Sequence, residues 1–222
     1  MFPISDSIPG KGFPLVNILL IFITVIVFFQ EVTASNPDAF IYKYALIPSL
    51  IDLNDWATFT PFITSIFLHG GLLHIISNMW FLWVFGDNVE GHMGKLLYPV
   101  FYLLSGVVGN LAQYFVSPHS SIPMLGASGA VAGVLGAYYV LFPHAKIKTL
   151  IPIFGFVTII NISAPFMLGY WFILQLLSGA ASLPFVTADT GGVAFWAHVG
   201  GFITGVVVGN IVKKSDENNI YE

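Results

Sequence analysis

Six apolar runs dominate the chain, near residues 13–30, 70–86, 96–116, 128–142, 164–182 and 193–212, each bounded by Lys, Asp, Pro or Gly. Hydrocarbon offers the backbone no water, so a run of this length crosses a bilayer as a helix that bonds its own N–H and C=O groups. With 56% hydrophobic and 8% charged residues, the composition is that of an integral membrane protein and not of a soluble core. One further apolar run, "LIPIFGFVTII" at 150–160, is too short to span, and Pro165 separates it from the next run. It reads as an interfacial or re-entrant segment. The first run is followed by Val32-Thr33-Ala34, as in a cleaved signal peptide, but Asp6 and a single Lys11 precede it, which favours a retained first helix. The expectation is an all-α membrane protein of six transmembrane helices, a single domain over 1–222 with short cytoplasmic tails at 1–12 and 213–222.

Six spans put both termini on one side. Lys11, Lys95, Lys146, Lys148, Lys213 and Lys214 fall on that side and only Lys43 on the other, so the positive-inside rule makes both termini cytoplasmic in a multi-pass cell-membrane protein. The seven positive residues are scattered and the net charge is -4, which excludes a nucleic-acid surface. There is no cysteine, hence no disulfide and no thiol chemistry.

The second, fourth and sixth spans then all run from outside to inside, and residues early in each share a depth. The fourth is short: from Ser128 to Phe142 it covers about 22 Å, against a hydrocarbon layer of about 30 Å. If its inner end sits at the interface marked by Pro143, His144 and Lys146, Ser128 lies below the outer surface, at the floor of a cavity. At the same depth the second span carries His74 and Asn78, four apart on one helical face, and the sixth carries His198. Polar groups in that layer are costly unless paired or wet. Small residues support the convergence: Ser128, Ala132 and Gly136 form a stripe beside Gly129, and Gly201, Gly205 and Gly209 form another, so that two backbones can approach closely.

A serine hydroxyl becomes a nucleophile when an imidazole takes its proton, and His198 is the candidate base. The oxyanion formed on a peptide carbonyl needs donors, for which the Ser128 N–H at a helix N-terminus and the side chains of His74 and Asn78 qualify. No Asp or Glu lies inside the second, fourth or sixth span near this layer, which indicates a catalytic dyad. Each residue also has a plainer reading: a serine bonding the carbonyl a turn back, glycine stripes that only pack helices, His74 and Asn78 as interhelical glue. Their coincidence at one depth on three co-oriented helices favours chemistry. His69, His74 and His198 were weighed as metal ligands, but without a His-Glu-x-x-His run or cysteine no metal and no cofactor is expected. Trp56, Trp80, Trp83, Trp171 and Trp196 read as lipid-facing or interfacial anchors.

"GASGA" around Ser128, "HGGLLHIISNMWFLWVFGDNVEGHMG" over 69–94 and "AHVGGFITG" over 197–205 resemble the rhomboid intramembrane serine proteases, across roughly residues 60–212. The resemblance implies a six-helix rhomboid-like bundle that cleaves transmembrane protein substrates entering laterally from the lipid bilayer. It also implies Ser128 as nucleophile, His198 as base and His74 with Asn78 as oxyanion donors, the fifth span and the loop 183–192 forming the gate. The chain departs from the pattern in two places: it has no arginine for the Trp-Arg pair many relatives carry in loop 1, and Ala132 stands where some relatives place an aromatic ring against the histidine. Two other functions were considered. One is an inactive rhomboid-like protein binding transmembrane segments, disfavoured because both Ser128 and His198 are present; the other is a small transporter, for which no internal repeat is found.

Overall fold

The computed structural model describes residues 2–153, 156–183 and 192–219. In chain order the elements are β1 (Phe2–Asp6), α1 (Leu15–Thr33), α2 (Pro37–Tyr44), α3 (Pro61–Thr64), α4 (Leu72–Met93), α5 (Leu97–Val116), α6 (Ser128–Leu141), β2 (Lys146–Ile153), β3 (Phe156–Ser163), α7 (Ala164–Ser182) and α8 (Phe195–Asn219). The six expected spans are α1, α4, α5, α6, α7 and α8. Of these α1, α5, α7 and α8 are long and apolar enough to cross a membrane on their own, and α4 does so together with the helical turns before it, from which it is bent by 79°. With 14 residues, α6 is the short helix that the sequence indicated.

The bundle is tied together by a few buried polar groups. The first turn of α1 has no capping side chain of its own. Glu90 on α4 supplies the acceptors: its carboxylate takes the Val16 N–H at 3.1 Å and the Asn17 N–H at 2.7 Å, satisfying two of the donors a helix N-terminus leaves open. Asn17 in turn donates to the Leu82 carbonyl at 3.0 Å and accepts from the Tyr98 hydroxyl at 2.7 Å, joining α1, α4 and α5. Gly86 is required there, because a Cβ would overlap the Asn17 side chain.

The end of the bundle carrying β1 holds an element the sequence reading did not anticipate. The run 150–160 is neither helical nor a span: β2 and β3 form an antiparallel hairpin, and β1 pairs with β2 in a three-stranded sheet ordered β1-β2-β3. Residues 2–12 are therefore no free tail. Besides its ladder, β1 is held by the Trp80 indole N–H donating to the Pro3 carbonyl at 2.6 Å, and by Asp6, which accepts from Asn88 on α4 and Tyr138 on α6, each at 2.7 Å. Trp80 thus anchors a strand rather than facing lipid, while Trp56 and Trp83 are exposed as an interfacial role requires. The other expected tail is also structured up to residue 219, where it continues α8.

At the opposite end the irregular backbone before α6 is covered by the segment between α1 and α4. Leu46 and Met124 exchange backbone hydrogen bonds of 3.0 and 2.7 Å, the Gly126 N–H donates to the Ser65 carbonyl at 2.9 Å, and the Ala127 N–H reaches His69 Nε2 at 3.4 Å. Non-helical backbone at membrane depth is tolerated because these partners satisfy it. The covering segment is itself pinned to α5 by Asn110, whose amide donates to the Phe62 carbonyl and to Ser65 Oγ at 2.9 and 3.0 Å.

Helices α6 and α8 make the closest contact of the fold. A Cβ on Gly201 would overlap the Gly129 carbonyl oxygen, one on Gly205 the Gly133 carbonyl oxygen, and one on Gly136 the Phe202 carbonyl oxygen. Gly129, Gly201 and Gly205 therefore pack the two backbones as expected. Ala132 does not: the stripe on α6 is Gly129, Gly133 and Gly136, about one residue round the helix from the Ser128, Ala132, Gly136 stripe read from the sequence. That rotation turns Ser128 and Ala132 away from the contact and into a cavity.

Candidate active site

The cavity has a volume of about 1020 Å³ and is open on one side. His74 and Asn78 of α4, Gln113 of α5, Ser128 and Ala132 of α6, Trp171 of α7 and His198 of α8 all line it. The four polar residues read from the sequence are thus brought to one wall set, delivered by three helices.

Ser128 is the first residue of α6, so its N–H is one of the donors left free at a helix N-terminus. The turn before it is built on Gly126, with φ of 128°, a region closed to most side chains. A Cβ there would come within 2.8 Å of His74 Cε1 and Nε2 and 3.8 Å of Ser128 Oγ. The His74 imidazole accordingly lies against the Gly126 backbone, a seat only glycine leaves open. His69 packs edge-on to His74, ring centroids 5.0 Å apart, and fixes the same turn through Ala127. Asn78 is buried and uses one amide hydrogen on the His74 carbonyl at 3.1 Å, which leaves its second amide hydrogen for a ligand.

His198 lies one turn into α8, buried, with Nδ1 2.8 Å from Gln175 Oε1 on α7. The Trp171 ring lies 5.9 Å from the imidazole at 32°, and Phe195 meets it edge-on at 6.4 Å. Trp171, which also lines the cavity, is part of the site rather than a lipid anchor. The start of α8 is fixed in turn by Gln113, which accepts the Trp196 N–H at 3.1 Å.

Gln113 and Gln175 were missed in the sequence. Each is an amide in a mainly apolar span, Gln113 with Asn110 a turn before it and Gln175 alone, and an intramembrane polar residue is by default a functional candidate; that signal was present and unused. Most of the loop read as part of the gate, 184–191, lies outside the described residues.

The fold and the cavity define a polytopic helical membrane protein with a serine and a histidine facing a common cavity within the bundle. The family model described as "Rhomboid domain" matches residues 56–215. The chain belongs to the rhomboid family. It is similar to Rhomboid protein 1, mitochondrial, of Saccharomyces cerevisiae, with 32% identity over 80% of this chain and 48% of that protein. It is also similar to Rhomboid protease GluP of Bacillus subtilis, with 33% identity over 61% of this chain and 26% of the relative. The human protein named Presenilin-associated rhomboid-like protein, mitochondrial, is 33% identical over 44% of this chain and 26% of its own length. The chain spans less than half the length of these curated relatives.

Proposed function

We propose that the protein is an intramembrane serine endopeptidase that hydrolyses peptide bonds in or near transmembrane segments of other membrane proteins. The observation that carries this reading is the shared cavity of Ser128, His198, His74 and Asn78, with the serine at a helix N-terminus and the histidine on the helix packed closest to it. Ser128 Oγ attacks the scissile carbonyl carbon while its proton passes to His198 Nε2, the ring nitrogen not engaged by Gln175. The negative charge that develops on the carbonyl oxygen is met by the Ser128 N–H, the free amide hydrogen of Asn78 and the His74 ring. His198 then gives its proton to the leaving amine nitrogen as the C–N bond breaks. A water from the cavity, deprotonated by His198, attacks the acyl carbon, and Ser128 leaves with the returned proton. No cofactor or metal takes part.

Substrate reaches the cavity from the side. An apolar cleft between α4 and α7 is lined by Phe81, Trp171 and Leu174, and Phe81 and Trp171 also line the catalytic cavity. A displaced α7, with the loop that follows it, would admit a second helix there. Orientation follows the lysines, with both termini on the cytoplasmic side: Lys11, Lys146 and Lys148 gather around the β-sheet end, and Lys43 sits on α2 at the other.

The test is labelling of the full chain, reconstituted in liposomes, by a fluorophosphonate, alongside cleavage of a transmembrane reporter. Wild type is expected to label and cleave, and Ser128→Ala and His198→Ala to do neither while melting normally. Cleavage by either variant rejects the assignment, and a wild type that binds the reporter without cutting it identifies a binding protein instead.

A further inference from the structure

The dyad read from the sequence gives His198 no partner to set its tautomer, and among the described residues no Asp or Glu bonds to it. We infer that Gln175, on α7, is the positioning residue that holds His198 with its proton on Nδ1, so that Nε2 presents a lone pair to Ser128; this rests on the proteolytic reading above.

The argument turns on which way the Gln175 amide faces. Its Nε2 lies 3.5 Å from the Trp171 carbonyl oxygen, one turn back on the same helix. A backbone carbonyl can only accept, so the amide NH₂ belongs on that side and the amide oxygen on the other. The oxygen is 2.8 Å from His198 Nδ1. An amide oxygen can only accept, so Nδ1 must carry the hydrogen, and in a neutral imidazole Nε2 is then the acceptor. The Trp171 backbone thereby sets the amide, the amide sets the tautomer, and the tautomer gives the base its function. The Trp171 ring, 5.9 Å from the imidazole, closes the remaining side. A neutral amide suits this place better than the carboxylate of a soluble triad, because an anion at membrane depth would have to be desolvated or neutralised. The partner sits on α7 and not on the α6–α8 pair that carries the dyad, so a displacement of α7 large enough to admit substrate also releases the base. Catalysis then resumes only with α7 back in place.

Substitutions at Gln175 in the full reconstituted chain test this. Gln175→Leu and Gln175→Met fill the space without an acceptor. Both are expected to lower the fluorophosphonate labelling rate of Ser128 and kcat for the reporter about ten- to a hundredfold, the range over which partners that orient a functional histidine matter. KM and the melting temperature stay unchanged. In ¹⁵N-histidine NMR, with the His198 signal assigned by its loss in His198→Ala, the wild type shows the neutral Nδ1–H form and Gln175→Leu a mixture of tautomers. Wild-type labelling in Gln175→Leu and Gln175→Met, or an unchanged tautomer, overturns the inference. A wild type without Ser128-dependent labelling overturns the proteolytic reading instead.

Discussion

Alanine at Gly201 probes how firmly the site is held. The added Cβ would overlap the Gly129 carbonyl oxygen and lie 2.8 Å from its carbon and 3.3 Å from its Cα, where ordinary contact begins at 3.4 Å. The atoms struck are helical backbone and cannot rotate aside, so α6 and α8 must part by roughly 1 Å or more in an interior packed to crystal density. Overpacking of this kind costs about 1–3 kcal/mol. Replacing a helical glycine returns about 0.5–1 kcal/mol, so overlap wins and Gly201→Ala is less stable. Gly129 adjoins Ser128, and His198 lies one turn before Gly201, so the separation is passed directly to the proposed Ser128–His198 pair. A misplacement of about 1 Å costs on the order of 10² in rate. Gly209→Ala is the control: its Cβ would meet Ala137 Cα at 3.2 Å and the Ala137 oxygen at 3.4 Å, about three turns from His198, and a few tenths of an ångström relieve it. Reporter cleavage and thermal melts in one detergent measure both. Gly201→Ala is expected to cleave about a hundredfold more slowly and melt lower, Gly209→Ala to match wild type. Equal rates in the two variants would refute the claim that backbone contact between α6 and α8 sets the catalytic geometry.

Removing one oxyanion donor typically costs about 10²- to 10³-fold in turnover, so Asn78→Ala and His74→Ala should be slow rather than dead by initial-rate assay; a wild-type rate in Asn78→Ala would reduce that residue to packing glue. Burial raises the Asp6 carboxyl above the usual aspartate range, against hydrogen bonds from Tyr138, the Ile8 N–H and Asn88 that pull it down. The folded state then holds this proton more tightly than the unfolded one, so its contribution to stability is present at acid pH and lost as pH rises through the folded pKa. Melts across that window should be flatter for Asp6→Asn than for wild type, and an unchanged slope would discount Asp6. A substrate helix must unwind for its carbonyl to reach Ser128, so replacing a Gly or Pro after the cleavage site by Leu should slow cleavage, read by gel assay, and equal rates would show unwinding not to be limiting. Trimming Phe166 or Tyr170 on α7 to Ala should speed cleavage if that helix is the gate; Trp171, beside His198, is unsuited to the same test.

The number, place and order of the spans are local properties, because a helix in hydrocarbon satisfies its own backbone and the length of an apolar run decides it. For the same reason residue counting alone could group Ser128, His198, His74 and Asn78, which line one cavity in the structure, and could show α6 to be short. Rotation about a helix axis is not local. It depends on which face meets a partner, and the α6–α8 contact chose Gly129, Gly133 and Gly136, turning Ala132 towards the cavity. The sheet was hidden too, since β1 and β2 are separated by most of the chain and neither strand has a register until the other is beside it. Gln175 stands as one amide in an apolar run, and only the packing of α7 against α8 puts its oxygen on His198. The sequence determined what reaches the active layer and at what depth; tertiary contact alone decided which faces meet there, because facing is a relation between helices and not a property of one.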